Sequence, residues 1–559
     1  MSEKRTVLRA TAVVAGATMV SRVLGFVREA IIAAYFGTGI YADAFFAAFR
    51  IPNVLRRLFG EGSLTISFIP IYAKVREEQG PERARRLFDE ACTLLTIILI
   101  GLVTLGILFA PAIVSFIAPG FGEIPAKDAI TIHLTRVMLP YALLICLVAL
   151  FMGVLNAHKH FFSPAFAPVF LNLGMIGCTI ALAAYFEWPV TSVAVGVIVG
   201  GVAQLVLQLP SLRRISHIPR VNFHFRDPEL ARIGLMMLPG MIGLSVSTLD
   251  VFVNQIFASL LDPGAVSYLY YADRLMELPQ GVFAISVGTA LLPSLAALAA
   301  RNERAQLVDT TNYAMRMIIF VNLPASVGLY VLAEPICNVL YQRGHYDLNS
   351  MLQTAHALRF YAFGLLGFGM LRVLVPTFYA LKDSLTPALV ATGALTVNLV
   401  AGLTMMGPTN SDAVGWISWY THHVNPTGPL RHGGLALAGT LAACFNAIVL
   451  TVILRRRLGL IGGRKLAKAL FTAGLGSAVM GFCVSRIAGL FDFTTSGFTA
   501  AKGVGLALAI GGGMAAYAVT VAAIDRKQAA EVWARIRRRR KSAIDAKSRD
   551  LPPVSTSGD

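Results

Sequence analysis

Arg22 and Arg28 lie six residues apart inside the first long apolar stretch, "MVSRVLGFVREAIIAAYFG", with Glu29 beside them. A charge at the bilayer centre costs roughly 2.5–3.5 kcal/mol even on lenient insertion scales. Six residues is about 120° around a helix, so the two guanidiniums can flank one cavity but cannot share a narrow seam. The second apolar stretch carries Asp43, Arg50, Arg56, Arg57 and Glu61. Glu61 follows Arg57 by four residues, the spacing of a helical ion pair, which leaves Arg56 as the better candidate for an external anion. The eighth stretch carries Asp273, Arg274 and Glu277, and Glu277 sits three residues after Arg274, where it can hold that guanidinium in position. Arg22 is roughly 14 residues into its apolar run, far from both ends. A lysine would snorkel as well as an arginine, so arginine there points to bidentate recognition of phosphate or carboxylate. The chemistry on offer is capture of an anion within a membrane, with Arg50, Arg57 and Glu29 as structural or interfacial charges.

The elements that must position these residues are membrane helices. Only 14% of residues are charged and the mean hydropathy is +0.67, against about 25% charged residues in soluble domains. Apolar runs close to the ~20 residues that span hydrocarbon recur along the whole chain, about 14 in all. The sequence predicts an all-α polytopic membrane protein. The first run reads as an uncleaved first helix rather than a removed leader. The six cysteines lie in apolar spans without metal-ligand spacing and read as small core residues.

Basic residues alternate between loops. One set holds Lys4 and Arg5, Lys74 to Arg86, Lys159, Arg213 to Arg232, Arg301 and Arg304, Lys382, Arg455 to Lys468, and the tail after Asp525. The other set holds little beyond Lys127, Arg343 and Arg431. That asymmetry predicts an even number of spans with both termini in the cytoplasm. It accounts for much of the net charge of +18 without a nucleic-acid partner. The basic tail reads as an anchor on anionic lipid. In the longest outer loop, His422, His423 and His432 lack metal spacing, and Trp416 and Trp419 suit an interface.

Two stretches echo each other. "YALLICLVALFMGVLNAHKHFFSP" (Tyr141 to Pro164) and "YAFGLLGFGMLRVLVPTFYALKDSLTP" (Tyr361 to Pro387) both begin Tyr-Ala and end Lys-x-x-x-[Ser/Thr]-Pro. A weaker echo joins "YADAFFAAFRIP" and "YYADRLMELP". The interval contains six spans, an even number, which predicts two parallel six-helix halves around a central cavity. The halves are residues 1–225 and 226–460; two additional helices fill 461–525, and the tail is 526–559.

No G-x-x-x-x-G-K-[ST], H-E-x-x-H or G-x-S-x-G motif occurs, which excludes nucleotide hydrolysis by a P-loop and two common hydrolase chemistries. No cluster of external carboxylates suits a membrane glycosyltransferase.

The stretches "SRVLGFVREAIIAAYFG", "ADAFFAAFRIPNVLRRLFGEG", "YYADRLMELPQGVFAISVGTALLPSL", "YQRGHYD" and "GGLALAGTLAACFNA" resemble the MurJ (MviN) family of lipid II flippases, within the multidrug/oligosaccharidyl-lipid/polysaccharide exporter superfamily. The resemblance covers essentially the whole chain. It implies a 14-helix inner-membrane flippase that moves the lipid-linked peptidoglycan precursor from the cytoplasmic to the periplasmic leaflet for cell-wall synthesis. It implies that Arg22, Arg28, Arg56 and Arg274 line a cationic cavity and bind substrate. Asp43, Glu61, Ser267 and Glu277 match its supporting or gating positions. Some members bind a cation through an Asp four residues after an Asn in helix eleven. Here Asn398 is followed by Gly402 at that spacing, a departure from the pattern. Asp250, with Asn254 one turn later, is the carboxylate of helix seven and the candidate cation or proton site.

The expected partners are lipid II, membrane lipids and the cell-wall synthesis machinery, with the monomer as the working unit. No cofactor is expected beyond a monovalent cation or the membrane potential as energy source. The rival readings are export of another undecaprenyl-linked oligosaccharide and drug antiport. An arginine-rich cavity disfavours cationic drugs by like-charge repulsion.

Overall fold

The structure, a computed structural model, describes the backbone of residues 3–524 except 282–284, 425, 427–429, 460, 461 and 496. It describes the side chains of those residues except 3–13, 15, 60–63, 65, 66, 238–247 and 285–290.

Helix follows helix, with no strand among the described residues. α1 (Glu3–Phe36) turns at Gly37 into α2 (Ile40–Leu55). α2 runs through a π-helical segment (Arg56–Leu64) into α3 (Thr65–Glu78). α4 (Pro81–Leu108) opens on a proline, whose missing N–H is harmless in a first turn. The short α5 (Ala110–Ile117) and a 3-10 turn lead to α6 (Pro125–Met138) and α7 (Pro140–Ala157). α8 (Phe162–Leu182) and α9 (Thr191–Arg214) follow. They approach closely because both present glycine: a Cβ on Gly174 would lie 2.6 Å from the Gly200 Cα.

A non-helical connection, 215–227, leads to α10 (Pro228–Ser259). Side chains of α4 hold it: Asp89 accepts from the Arg220 N–H at 3.0 Å, and Thr93 Oγ1 from the Asn222 N–H at 3.0 Å. Asp227 pairs with Arg83 and caps α10 by accepting from the Glu229 N–H at 2.9 Å. Arg83 and the Glu229 N–H hold the Asp227 carboxyl below the usual carboxylate range, against the opposing effect of burial.

α11 (Ala265–Pro279) and α12 (Ile285–Ala300) are followed by α13 (Arg304–Val331) and α14 (Ala333–Tyr341). Then come α15 (Leu348–Ala380), capped by Asp347, and α16 (Leu385–Met405). The short α17 (Gly415–Val424) exposes Trp416 and Trp419 on the long loop. α18 (His432–Leu458), α19 (Gly463–Ala488) and α20 (Ala500–Ile524) complete the chain, and the tail expected at 526–559 lies outside the described residues.

Ten of these rods are long and apolar enough to cross a membrane, counted among the described residues: α4, α6 with α7, α8, α9, α13, α15, α16, α18, α19 and α20. Four further rods stand outside that count: α1, α2 with α3, α10, and α11 with α12. These four carry Arg22, Arg28, Asp43, Arg56, Asp250 and Arg274. One continuous apolar core joins α2, α4, α7 and α9 to α11 and the start of α15. Lys159 and Lys382, the lysines of the sequence echo, both adopt left-handed backbone (φ 61° and 59°) just after α7 and α15.

Candidate functional site

A cavity of about 520 Å³ opens between α1, α2, α8, α10, α11 and α15. Its wall carries six arginines, Arg22, Arg28, Arg50, Arg56, Arg57 and Arg274, against three carboxylates, Asp250, Asp273 and Glu277. A second lobe of about 290 Å³ shares Arg22, Arg28, Arg274 and Glu277 and adds Glu29 and Arg372. The structure thus brings Arg22, Arg28, Arg56 and Arg274 to one space, and Asp250 and Asn254 line the same wall.

Helical spacing fixes the local pairs. Arg274 donates to Glu277 at 2.6 Å, one turn on, and lies 4.9 Å from the centroid of the Tyr270 ring. Arg28 donates to its neighbour Glu29 and, at 2.9 Å, to Asn172 Oδ1 on α8. The Asn172 amide donates back to the Ser21 carbonyl at 3.1 Å, so one side chain of α8 holds α1 at Arg28 and two turns before it. Tyr270 on α11 donates to Glu29 at 3.1 Å and stacks on Phe46. Arg50 donates to the Val251 carbonyl at 2.9 Å. Arg22 differs from all of these. Among the described residues it has no ion-pair partner, and its guanidinium occupies the space that a Cβ on Gly281 would fill, 2.4 Å from that position.

The expected Arg57–Glu61 pair assumed an α-helix. The chain there is π-helical rather than α-helical. The Glu61 side chain lies outside the described residues.

Asp43 is fully buried and accepts four hydrogen bonds. Three come from the start of α11: the Gly264 N–H at 2.7 Å, the Ser267 N–H at 2.8 Å and the Ser267 hydroxyl at 2.5 Å. The fourth comes from Lys127 at 2.7 Å. Lys127, expected as an outer-loop charge, is instead 3% exposed, with its ammonium 3.9 Å from the Phe121 ring centroid.

Beside this cluster, backbone meets backbone. The His345 N–H donates to the Ala34 carbonyl at 2.9 Å. Gly37 (φ +61°) and Gly344 (φ +58°) permit it: a Cβ on Gly344 would lie 2.2 Å from that carbonyl oxygen. Thr38 and Ser350 hydroxyls meet at 2.5 Å, and Tyr271, Tyr341 and Tyr346 pack edge and face behind them.

At the cavity wall, Asn398 on α16 donates to Asp250 at 2.6 Å and to Asn254 Oδ1 at 3.3 Å. Sequence reasoning missed Asn172, Tyr270 and the burial of Lys127. A lone asparagine inside the apolar run "FLNLGMI" was a usable signal for the first.

Residues 32–509 match the family described as Lipid II flippase MurJ. The chain is 35% identical over 454 residues to the lipid II flippase MurJ of Burkholderia cenocepacia, covering 80% of this chain and 84% of that one. It is 34% identical over 456 residues to the probable lipid II flippase MurJ of Bdellovibrio bacteriovorus, covering 81% and 83%. A solved structure of a lipid II flippase MurJ in an inward closed conformation matches with a TM-score of 0.73 at 25% identity, over 92% of this chain and 99% of that one. An inward-facing multidrug resistance MATE family transporter of the MOP superfamily matches with a TM-score of 0.63 at 15% identity, over 80% and 98%, a likeness of fold alone.

Proposed function

The chain belongs to the lipid II flippase MurJ family, and on that premise we propose that it moves lipid II from the cytoplasmic to the periplasmic leaflet by alternating access of the arginine-lined cavity. The observation that carries the reading is the convergence of Arg22, Arg28, Arg56 and Arg274 on one space, with Arg22 lacking an internal counter-ion among the described residues. A diphosphate supplies what that guanidinium lacks. The polar headgroup exchanges its water shell for the cavity wall while the polyprenyl tail stays in lipid. Asp43, Ser267, Glu61 and Glu277 act as supports and gates around this path. Export of another undecaprenyl-linked oligosaccharide or of a drug is the less favoured reading, because the curated relatives are lipid II flippases.

Four further crossings, α1, α2 with α3, α10, and α11 with α12, bring the ten apolar spans to 14. The first six crossings and the next six form parallel halves, a division supported by the matched left-handed lysines Lys159 and Lys382. α19 and α20 are appended. Loop charge places both termini in the cytoplasm of the inner membrane. The end bearing Gly37, Asp43 and Gly344 is then the outer end, and it is closed here. Transport draws on the membrane potential or a monovalent cation, Asp250 and Asn254 being the candidate cation ligands. The protein works as a monomer beside the cell-wall synthesis machinery.

Depletion tests the function. Loss of the protein should raise total lipid II while the amount reached by a membrane-impermeant headgroup probe falls. An unchanged lipid II pool would overturn the reading and favour the surface-polysaccharide alternative.

A further inference from the structure

We propose that Lys127 is a positioning residue of the transport cycle: it is the counter-ion that travels with Asp43 and allows the outer latch to open and re-form. The inference rests on the alternating-access reading above. Asp43 on α2 and Lys127 on α6 lie on adjacent packed helices of the same half. The other three donors to Asp43 all belong to the start of α11, in the opposite half. A helix N-terminus is a good seat for a carboxylate, because its N–H groups and dipole both favour negative charge.

Parting the halves withdraws those three donors together. A carboxylate left alone among apolar neighbours is strongly disfavoured. Without Lys127, Asp43 would hold α11 in place and the outer face would stay shut. With Lys127 it keeps one charge-assisted bond throughout, so opening exchanges hydrogen bonds without isolating a charge. Lys127 suits this role by its own confinement: it is 3% exposed, its ammonium rests near the Phe121 ring, and it lines neither lobe of the arginine cavity. It acts on transport only through Asp43.

The test uses the full chain with S350C as reporter, since Ser350 is buried at the outer clasp and meets Thr38 there. Labelling by a membrane-impermeant maleimide is timed on intact cells and on inside-out vesicles. Lys127→Met should slow outside labelling by about tenfold or more, and lipid II flipping with it. Lys127→Arg should restore both. Adding K127M to Asp43→Asn should cause no further slowing, because a neutral amide needs no counter-ion. Unchanged labelling in K127M, or a further slowing when K127M is added to D43N, would overturn the proposal. If K127M alone does not accumulate, the comparison of D43N with D43N/K127M still decides it. Labelling from the cytoplasmic face alone would instead overturn the orientation. The coupling between the two substitutions would then remain the measure of Lys127: its presence supports the proposal and its absence overturns it.

Discussion

The Asn398 amide donates to the Asp250 carboxylate at 2.6 Å, joining α16 to α10 across the cavity wall. One turn further, Gly402 faces Phe257, where a Cβ would lie 3.0 Å from the ring. This corner of the wall therefore presents one carboxylate, Asp250, with two amides, Asn254 and Asn398, and has no room for a larger group at 402. A cation bound here would meet a single negative charge. Asp250→Asn should remove any dependence of flipping on the sodium or proton gradient while lipid II binding persists. Flipping in vesicles with imposed gradients checks this. A gradient dependence that survives in D250N would exclude Asp250 as the coupling site.

Arg22 carries the largest expected loss of binding. A hydrogen bond to a charged group is worth about 1.5–3 kcal/mol, so Arg22→Ala should weaken lipid II binding roughly 10- to 150-fold. It should also flatten the salt dependence of binding and fail to complement depletion. The protein should still insert, because no described partner is stranded by the change. Arg22→Lys keeps the charge but loses the planar fork and should be partly defective. Normal growth on R22A as the sole copy would refute the assignment.

Asn172 is expected to act through Arg28. Asn172→Leu removes the bonds to Arg28 and to the Ser21 carbonyl together. The cost should be roughly 1–3 kcal/mol of stability, because a buried donor loses its partner. Thermal unfolding in detergent measures that cost. Binding should fall less than in Arg28→Ala, since the guanidinium remains.

Acid should loosen the 215–227 connection. His217, in that connection, is buried with Tyr72, Phe88 and His158 around it. Its Nε2 meets the Tyr72 hydroxyl at 2.8 Å, and Nδ1 lies 2.6 Å from the Ile215 carbonyl. Burial pushes the imidazole pKa below its ordinary value, aided by Arg85 and Arg76 and opposed by the Ile215 bond and Asp89. His158 is lowered for the same first reason, with Arg76, His217 and His160 adding to it. A depressed histidine binds its proton more readily when unfolded. Its stabilisation is therefore complete above the unfolded value of about 6.5 and is lost as pH falls below it. Midpoints of thermal unfolding between pH 8 and pH 5 should fall on the acid side. The double variant His158→Gln/His217→Gln should show a shallower decline.

What the sequence made legible was what lies close along the chain. Arg274 and Glu277 are three residues apart, and the α-helix between them makes the pair inevitable. The all-α class followed from composition. Three relationships were hidden because they join distant segments: Asp43 with Lys127, Asn172 with Arg28, and Asn398 with Asp250. No periodicity encodes those. Lys127 was misplaced for a specific reason. Loop-charge counting treats every lysine near a helix end as solvated, and this one is neutralised inside the protein. The segment Arg56–Leu64 was read as α-helix and is π-helical, a local widening that no periodicity in the sequence announces.

That π-helical segment has a consequence for how the gene can change length. An α-helix advances about 100° per residue. Residues Arg56–Leu64 sit between two α-helical stretches of one continuous rod. Deleting a single residue while the segment stays π-helical would turn all of α3 against α2 by roughly a quarter-turn. Arg56, in the cavity wall, and Phe68 and Tyr72, in the core, would no longer face their present neighbours together. Within 56–64, the number of residues is therefore constrained as tightly as their identity.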